Sequence, residues 1–130
     1  MTGEVLLDTS VIIDFLRQKN KQDTLLYKLS IDSNLYISII THAELYAGKS
    51  VWANKTAKKE LGIVFEGMSI LQIDNKISEE AGKIRAKYDL DLIDALIATT
   101  SISNEIPLAT FNFKHFKKVP SLKFYTFKLV

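Results

Sequence analysis

The pattern that most limits how this chain folds is the repeated exchange of short apolar runs for helical periodicity. "EVLLD" is a brief apolar run ending in an acid. It is followed by "TSVIIDFLRQ", where Val11 and Phe15, and Ile12 and Leu16, recur at i, i+4. That is a strand, a turn and a helix. Further along, "DTLLYKLSI" predicts a helix, "LYISI" a strand, and "THAELYAGKS" a helix opening at Thr41 and running out near Gly48. Residues 53–66 predict another helix and "ILQI" a strand. Ile77, Ala81, Ile84 and Tyr88 fall at i, i+4, i+7 and i+11 of a clear amphipathic helix. Residues 91–104 predict the next helix, "PLAT" a short strand and "LKFYTF" a final strand. Strands that alternate with helices imply βα units and a mostly parallel sheet covered on both faces. With 130 residues and neither internal repeat nor Pro- or Gly-rich linker, residues 1–130 are expected to form one domain.

Composition excludes several classes. With no Cys there is no disulfide and no zinc–thiolate site, which fits a reduced cytoplasmic compartment. Runs such as "SVII" and "ALIA" are far shorter than the ~20 residues of a membrane span, and "MTGEVLLDTS" lacks the basic and long apolar regions of a signal peptide. A soluble protein without membrane contact is expected. The net charge of +2 is uneven. Residues 106–130 hold five Lys and no acid, which leaves 12 basic and 15 acidic residues in 1–105, a balance of −3. The basic end is either a solvated face or a contact for a polyanion.

In parallel sheets, sites lie outside the carboxyl ends of the strands. Asp8 closes the first strand, Glu44 lies one turn into the helix after "LYISI", Asp94 one turn into the helix leading to "PLAT", and Asn112 just beyond "PLAT". Each has an ordinary reading as well. Asp8 is a natural helix cap, Thr41 to Glu44 fits a capping box, and Asp91 is a natural N-cap. Asp94 resists that treatment. Leu92, Ile93, Ala95, Leu96, Ile97 and Ala98 surround it, and a carboxylate among apolar side chains costs several kcal/mol unless paired or metal-bound. The helix N-terminus returns only about 0.3–1 kcal/mol, and no Lys or Arg on the helix reaches it. Asp8 and Asp94 are therefore assigned to one cation site. With Glu44 as a third metal-binding carboxylate and Asn112 as an amide beside them, the set is all oxygen ligands and no Cys, which suits Mg²⁺ or Mn²⁺. A hard cation with free positions suits metal-assisted phosphodiester hydrolysis.

The segments "LLDTSVIIDFL", "ITHAELYAG", "DLIDALIATTSI" and "LATFNFKHF", in this order, resemble the PIN domain, and within it the VapC-type ribonuclease toxins of prokaryotic toxin–antitoxin systems. The resemblance spans essentially the whole chain. It implies a three-layer α/β/α sandwich with a central, mostly parallel sheet, and RNA cleavage with Mg²⁺ or Mn²⁺. It places the acids at Asp8, Glu44 and Asp94, with Ser10 lining the pocket. The fourth acid of the family falls on Asn112, which weakens the case for a second tightly held ion. It also implies a homodimer, an inhibiting antitoxin, and contact with DNA only through that antitoxin. In "NFKHFKK", Lys114, Lys117 and Lys118 stand as RNA contacts beside Phe111, Phe113 and Phe116, which read mostly as core.

Other classes fit less well. A haloacid-dehalogenase-type phosphatase needs an Asp where Ser10 stands, and a receiver domain needs an acidic pair and a Lys that are absent. A metal-free ribonuclease would rest on His42 and His115 alone. A non-catalytic RNA-binding or protein-interaction module with the same fold would be marked by loss of the acids, and three of four stand.

Overall fold

The computed structural model describes residues 3–127. Lys128, counted above in the basic end, lies outside them. Strands β1 (Gly3–Leu7), β2 (Ser33–Ser38), β3 (Ser69–Leu71) and β4 (Leu108–Ala109) form one parallel sheet in the order β3-β2-β1-β4. The register sets Val5 against Leu35, Ile37 against Ile70, and Leu7 against Ala109. Among the described residues, seven α-helices lie between the strands and an eighth follows β4: α1 (Thr9–Arg17), α2 (Leu25–Asp32), α3 (Ile39–Tyr46), α4 (Lys49–Ala53), α5 (Lys55–Glu66), α6 (Asn75–Tyr88), α7 (Leu92–Asn104) and α8 (Phe113–Phe116).

The run Val5-Leu6-Leu7 is wholly buried because β1 is covered on both faces. Val5 and Leu7 point into a cluster with Val11, Leu29, Leu45 and Phe65, while Leu6 points into a second cluster with Ala81, Ala95, Leu108 and Phe116. Helices α1, α2, α3 and α5 thus cover one face, and α6, α7 and α8 the other. This is the three-layer α/β/α sandwich that the resemblance implied.

Three expectations need correction. The helix expected from Thr41 begins at Ile39, because Ser38 at the strand end accepts the Ile40 N–H at 3.2 Å and serves as the cap. The helix expected over 53–66 is α5, which starts at Lys55 because Asn54 caps it at Thr56 and Ala57, and a short α4 that was not expected precedes it. "LKFYTF" makes a single parallel bridge, Leu108 to Phe124, rather than a strand, since β4 itself is two residues long.

The order of the strands positions the site. The chain adds β2 and β3 on one side of β1, then crosses the sheet through α6 and α7 to add β4 on the other side. The strand order reverses between β1 and β4, and in such sheets the crevice beyond the carboxyl ends at that point accepts ligands. Helix α7 runs back across the sheet, so its first turn lies at that end. It enters through Asp89, whose left-handed φ of 52° is a conformation that Asp tolerates after a helix.

Candidate active site

Asp8 stands where β1 gives way to α1. It is 3% exposed, and it holds the N-cap position without making a side-chain cap bond. Its carboxylate is occupied by hydroxyls instead. Ser10 Oγ donates to Asp8 Oδ2 at 2.7 Å, and Thr110 Oγ1 donates to the same oxygen at 2.8 Å. Each hydroxyl accepts a backbone N–H in turn, Ser10 from Phe111 at 3.2 Å and Thr110 from Asn112 at 2.9 Å. The loop after β4 is therefore sewn to the turn after β1 across the β1/β4 crevice. Both bonds land on Oδ2, and Oδ1 receives neither.

Glu44 projects from α3 and does not close a capping box. Its Oε1 accepts the Thr9 hydroxyl at 2.6 Å, and Thr41 Oγ1 lies 3.2 Å from that hydroxyl. Thr41, fully buried, is spent on this contact rather than on a helix end.

Asp94 occupies the first turn of α7, its side chain 20% exposed. Burial, then the charges of Asp8 and Asp91, push its carboxyl up to about 6; Glu44 adds to this and His115 opposes it. His115 Nδ1 lies 3.8 Å from Asp94 Oδ2, so the nearby base is a histidine from α8 and not a Lys or Arg. The start of α7 is also less enclosed than its sequence implied, with Leu92 48% exposed. Asp91 takes the N-cap position but makes no side-chain cap bond. Asp91→Ala is therefore expected to lower stability by well under the ~1 kcal/mol of a bonded cap, which a thermal melt at neutral pH will show.

Asn112 caps α8 by position, with an exposed side chain that makes no cap bond. Lys114, Lys117 and Lys118 are exposed in the same segment. Phe116 is buried there, but Phe111 and Phe113 are not. The two histidines are not a pair. His42 packs its ring against Tyr46 and Phe65 at 4.9 and 4.6 Å, while His115 faces Asp94. Sequence reasoning missed Thr9 and Thr110, which hold the acids. A hydroxyl beside each strand end was the available signal.

The donor set suits a hard cation: carboxylate oxygens, an excess of negative charge, and no ion pair to Lys or Arg on these acids among the described residues. Among those residues no three His, Cys, Asp or Glu side chains stand close enough to hold one ion jointly.

A model of the PIN domain family matches residues 5–122. Ribonuclease VapC1 of Methanocaldococcus jannaschii is 31% identical over 122 residues, covering 90% of this chain and 82% of that protein. Among solved structures, VapBC2 from Rickettsia felis, bound to a DNA fragment from its promoter, matches with a TM-score of 0.77 at 21% identity, covering 96% of this chain and 99% of that one. A toxin–antitoxin complex from Klebsiella pneumoniae matches with a TM-score of 0.72 at 25% identity, covering 91% and 94%. The four motifs, the sheet order and these matches agree: the chain belongs to the PIN domain family, among its VapC-type members.

Proposed function

We propose that this chain is a single-domain, Mg²⁺- or Mn²⁺-dependent endoribonuclease and the toxin of a toxin–antitoxin pair. The observation that carries the reading is the pair of carboxylates at the β1/β4 crevice that no Lys or Arg neutralises among the described residues, with Asp94 pushed up to about 6 by burial and by Asp8. Membership in the PIN family and the ribonuclease named among its relatives support it. The complexes among its structural neighbours support an antitoxin partner. A homodimer and contact with DNA through the antitoxin follow from the same resemblance. No described helix is long and apolar enough to cross a membrane.

Asp8 and Asp94 would hold the ion, which when bound supplies a Lewis acid for phosphate oxygens and makes water more acidic. The residues of the chain prepare for this. Ser10 and Thr110 fix Asp8 Oδ2, so the carboxylate keeps one orientation with Oδ1 outside that pair of bonds. Thr9 fixes Glu44, whose Oε2 takes no part in that bond and is assigned to orient the attacking water or to accept its proton. Asn112, neutral where the family often has an acid, keeps the local charge low enough for one ion.

Purified protein is expected to cut single-stranded RNA with Mn²⁺ or Mg²⁺ and to stop in EDTA, leaving 5′-phosphate and 3′-hydroxyl ends. Full cleavage in EDTA, or 2′,3′-cyclic phosphate products, would remove the metal from the mechanism. Lys114, Lys117 and Lys118 hold substrate in this scheme. Replacing all three with Ala should weaken RNA binding and flatten its salt dependence, since up to three fewer counterions are released, while turnover at saturating RNA changes little. An unchanged salt slope would leave these Lys as surface solvation only.

A further inference from the structure

The pocket opens beside two phenyl rings that the fold leaves in solvent. Phe111 is 39% exposed and Phe113 52%, while Phe116 of the same segment is fully buried. Core formation therefore accounts for one ring of the three. Exposed large apolar side chains set side by side mark a contact surface more often than isolated ones do. These two flank Asn112, at the edge of the proposed catalytic crevice.

Their positions are fixed. Phe111 meets Phe127 edge-on, at 5.8 Å between centroids and 88° between planes. Phe113 meets Phe124 at 4.8 Å and 61°. Such edge contacts brace a ring without consuming both of its faces. The backbone is braced as well. The N–H groups of Phe111 and Asn112 bond the hydroxyls of Ser10 and Thr110, the same two hydroxyls that orient Asp8. A ring on this loop is thus tied to the carboxylate through two hydrogen bonds. Phe111 and Phe113, with Leu108, Tyr125 and Thr126, line an open cavity of about 360 Å³.

The charge around the rings selects what they meet. From residue 106 onward the sequence has no acid, and Lys114, Lys117 and Lys118 follow directly. Two exposed aromatic rings beside clustered cations and the proposed phosphodiester-cutting site match one chemistry, an unpaired nucleobase attached to a phosphate backbone. In a duplex the base faces are stacked away and unavailable to a side chain.

We propose that Phe111 and Phe113 form a stacking platform that grips unpaired nucleobases next to the bond that is cut. The role assigned to the rings rests on the ribonuclease reading above. Stacking on phenyl rings is tolerant of base identity, so the platform selects unpaired structure rather than sequence.

The test uses an eight-nucleotide single-stranded RNA carrying 2-aminopurine, whose fluorescence falls when the base stacks. Binding is read with the Asp94→Asn protein, and cleavage with the wild type and Mn²⁺. Fluorescence should fall on binding. The double substitution Phe111→Leu, Phe113→Leu keeps apolar volume against Phe124 and Phe127 but lacks an aromatic face. It should weaken binding by roughly tenfold or more and raise KM with little change in kcat, and Phe→Tyr at both positions should restore binding. The blunt duplex of the same sequence should bind weakly to all forms. Quenching that the Leu variant loses, without cleavage by the wild type, would uphold the platform and remove the catalytic reading. Cleavage without quenching, or a Leu variant that binds like its parent, would overturn the platform alone. A Leu variant whose only change is in oligomeric state would also overturn it, by assigning the rings to a protein contact.

Discussion

Asp94→Asn is expected to lose RNA cleavage by about a hundredfold or more while melting no lower than the wild type in EDTA. The loss follows from replacing a charged oxygen ligand with a neutral amide. The melting behaviour follows from the carboxyl of Asp94, pushed up to about 6 from its ordinary 3.8 by burial and then by Asp8. A carboxyl with a raised folded-state pKa binds its proton more tightly in the folded chain than in the unfolded one. Its contribution to stability is therefore fully present below about pH 4 and is lost as the pH rises through about 6. At pH 7.5 without metal the wild type carries a charge that the fold disfavours, and the Asn variant does not. The two should melt together below about pH 4, part between about 4 and 6, and keep that separation above 6, with the variant higher. Added Mn²⁺ should stabilise the wild type by mass action and the variant much less. Four melts, each protein with and without Mn²⁺, measure this directly. A variant strongly destabilised in EDTA that still gains the full Mn²⁺ shift would make Asp94 a structural carboxylate.

Phe116→Ala carries the largest expected loss of stability in the segment that closes the site. Its ring is wholly buried in the cluster of Leu6, Ala95 and Leu108. Truncating such a ring costs about 3–5 kcal/mol, or a fall in Tm on the order of 10–20 °C for a domain of this size. Cleavage should fall below the melting range too, because α8 anchors the loop whose hydroxyl and N–H groups orient Asp8. Phe111→Leu and Phe113→Leu should leave Tm nearly unchanged. Circular dichroism melts of the three variants compare these outcomes, and a shift at Phe116 as small as the other two would show that the ring does not anchor the loop.

That contrast marks where the sequence stops being readable. Three Phe within six residues looked like one class because α8 is a single turn, Phe113–Phe116, too short for periodicity to sort buried from exposed faces. The acids were legible for the opposite reason. Asp8 ends a strand, Asp94 opens a long helix and Glu44 lies in the helix that follows β2, so alternation alone places them at one end of the sheet. The capping box at Thr41 misled because Ser38, three residues earlier, is an equally good cap, and only burial of Thr41 beside Thr9 distinguishes them. His115 had no local signal at all. It reaches Asp94 through the crossover that brings α8 beside α7. The final strand was read from β-rich residues, but a two-residue β4 gives it only one partner.

The bond from Thr110 to Asp8 spans 102 residues of chain and is the bond that shapes the pocket. A chain still being made carries Asp8, then Glu44, then Asp94 long before it carries the hydroxyl that orients the first of them. Parallel pairing of β4 with β1 also closes late, since its loop is among the longest in the fold and distant contacts are slow to form. The order of synthesis thus delays assembly of the oriented site until the segment around residue 110 has docked, and a half-made chain has the acids of a nuclease without its pocket.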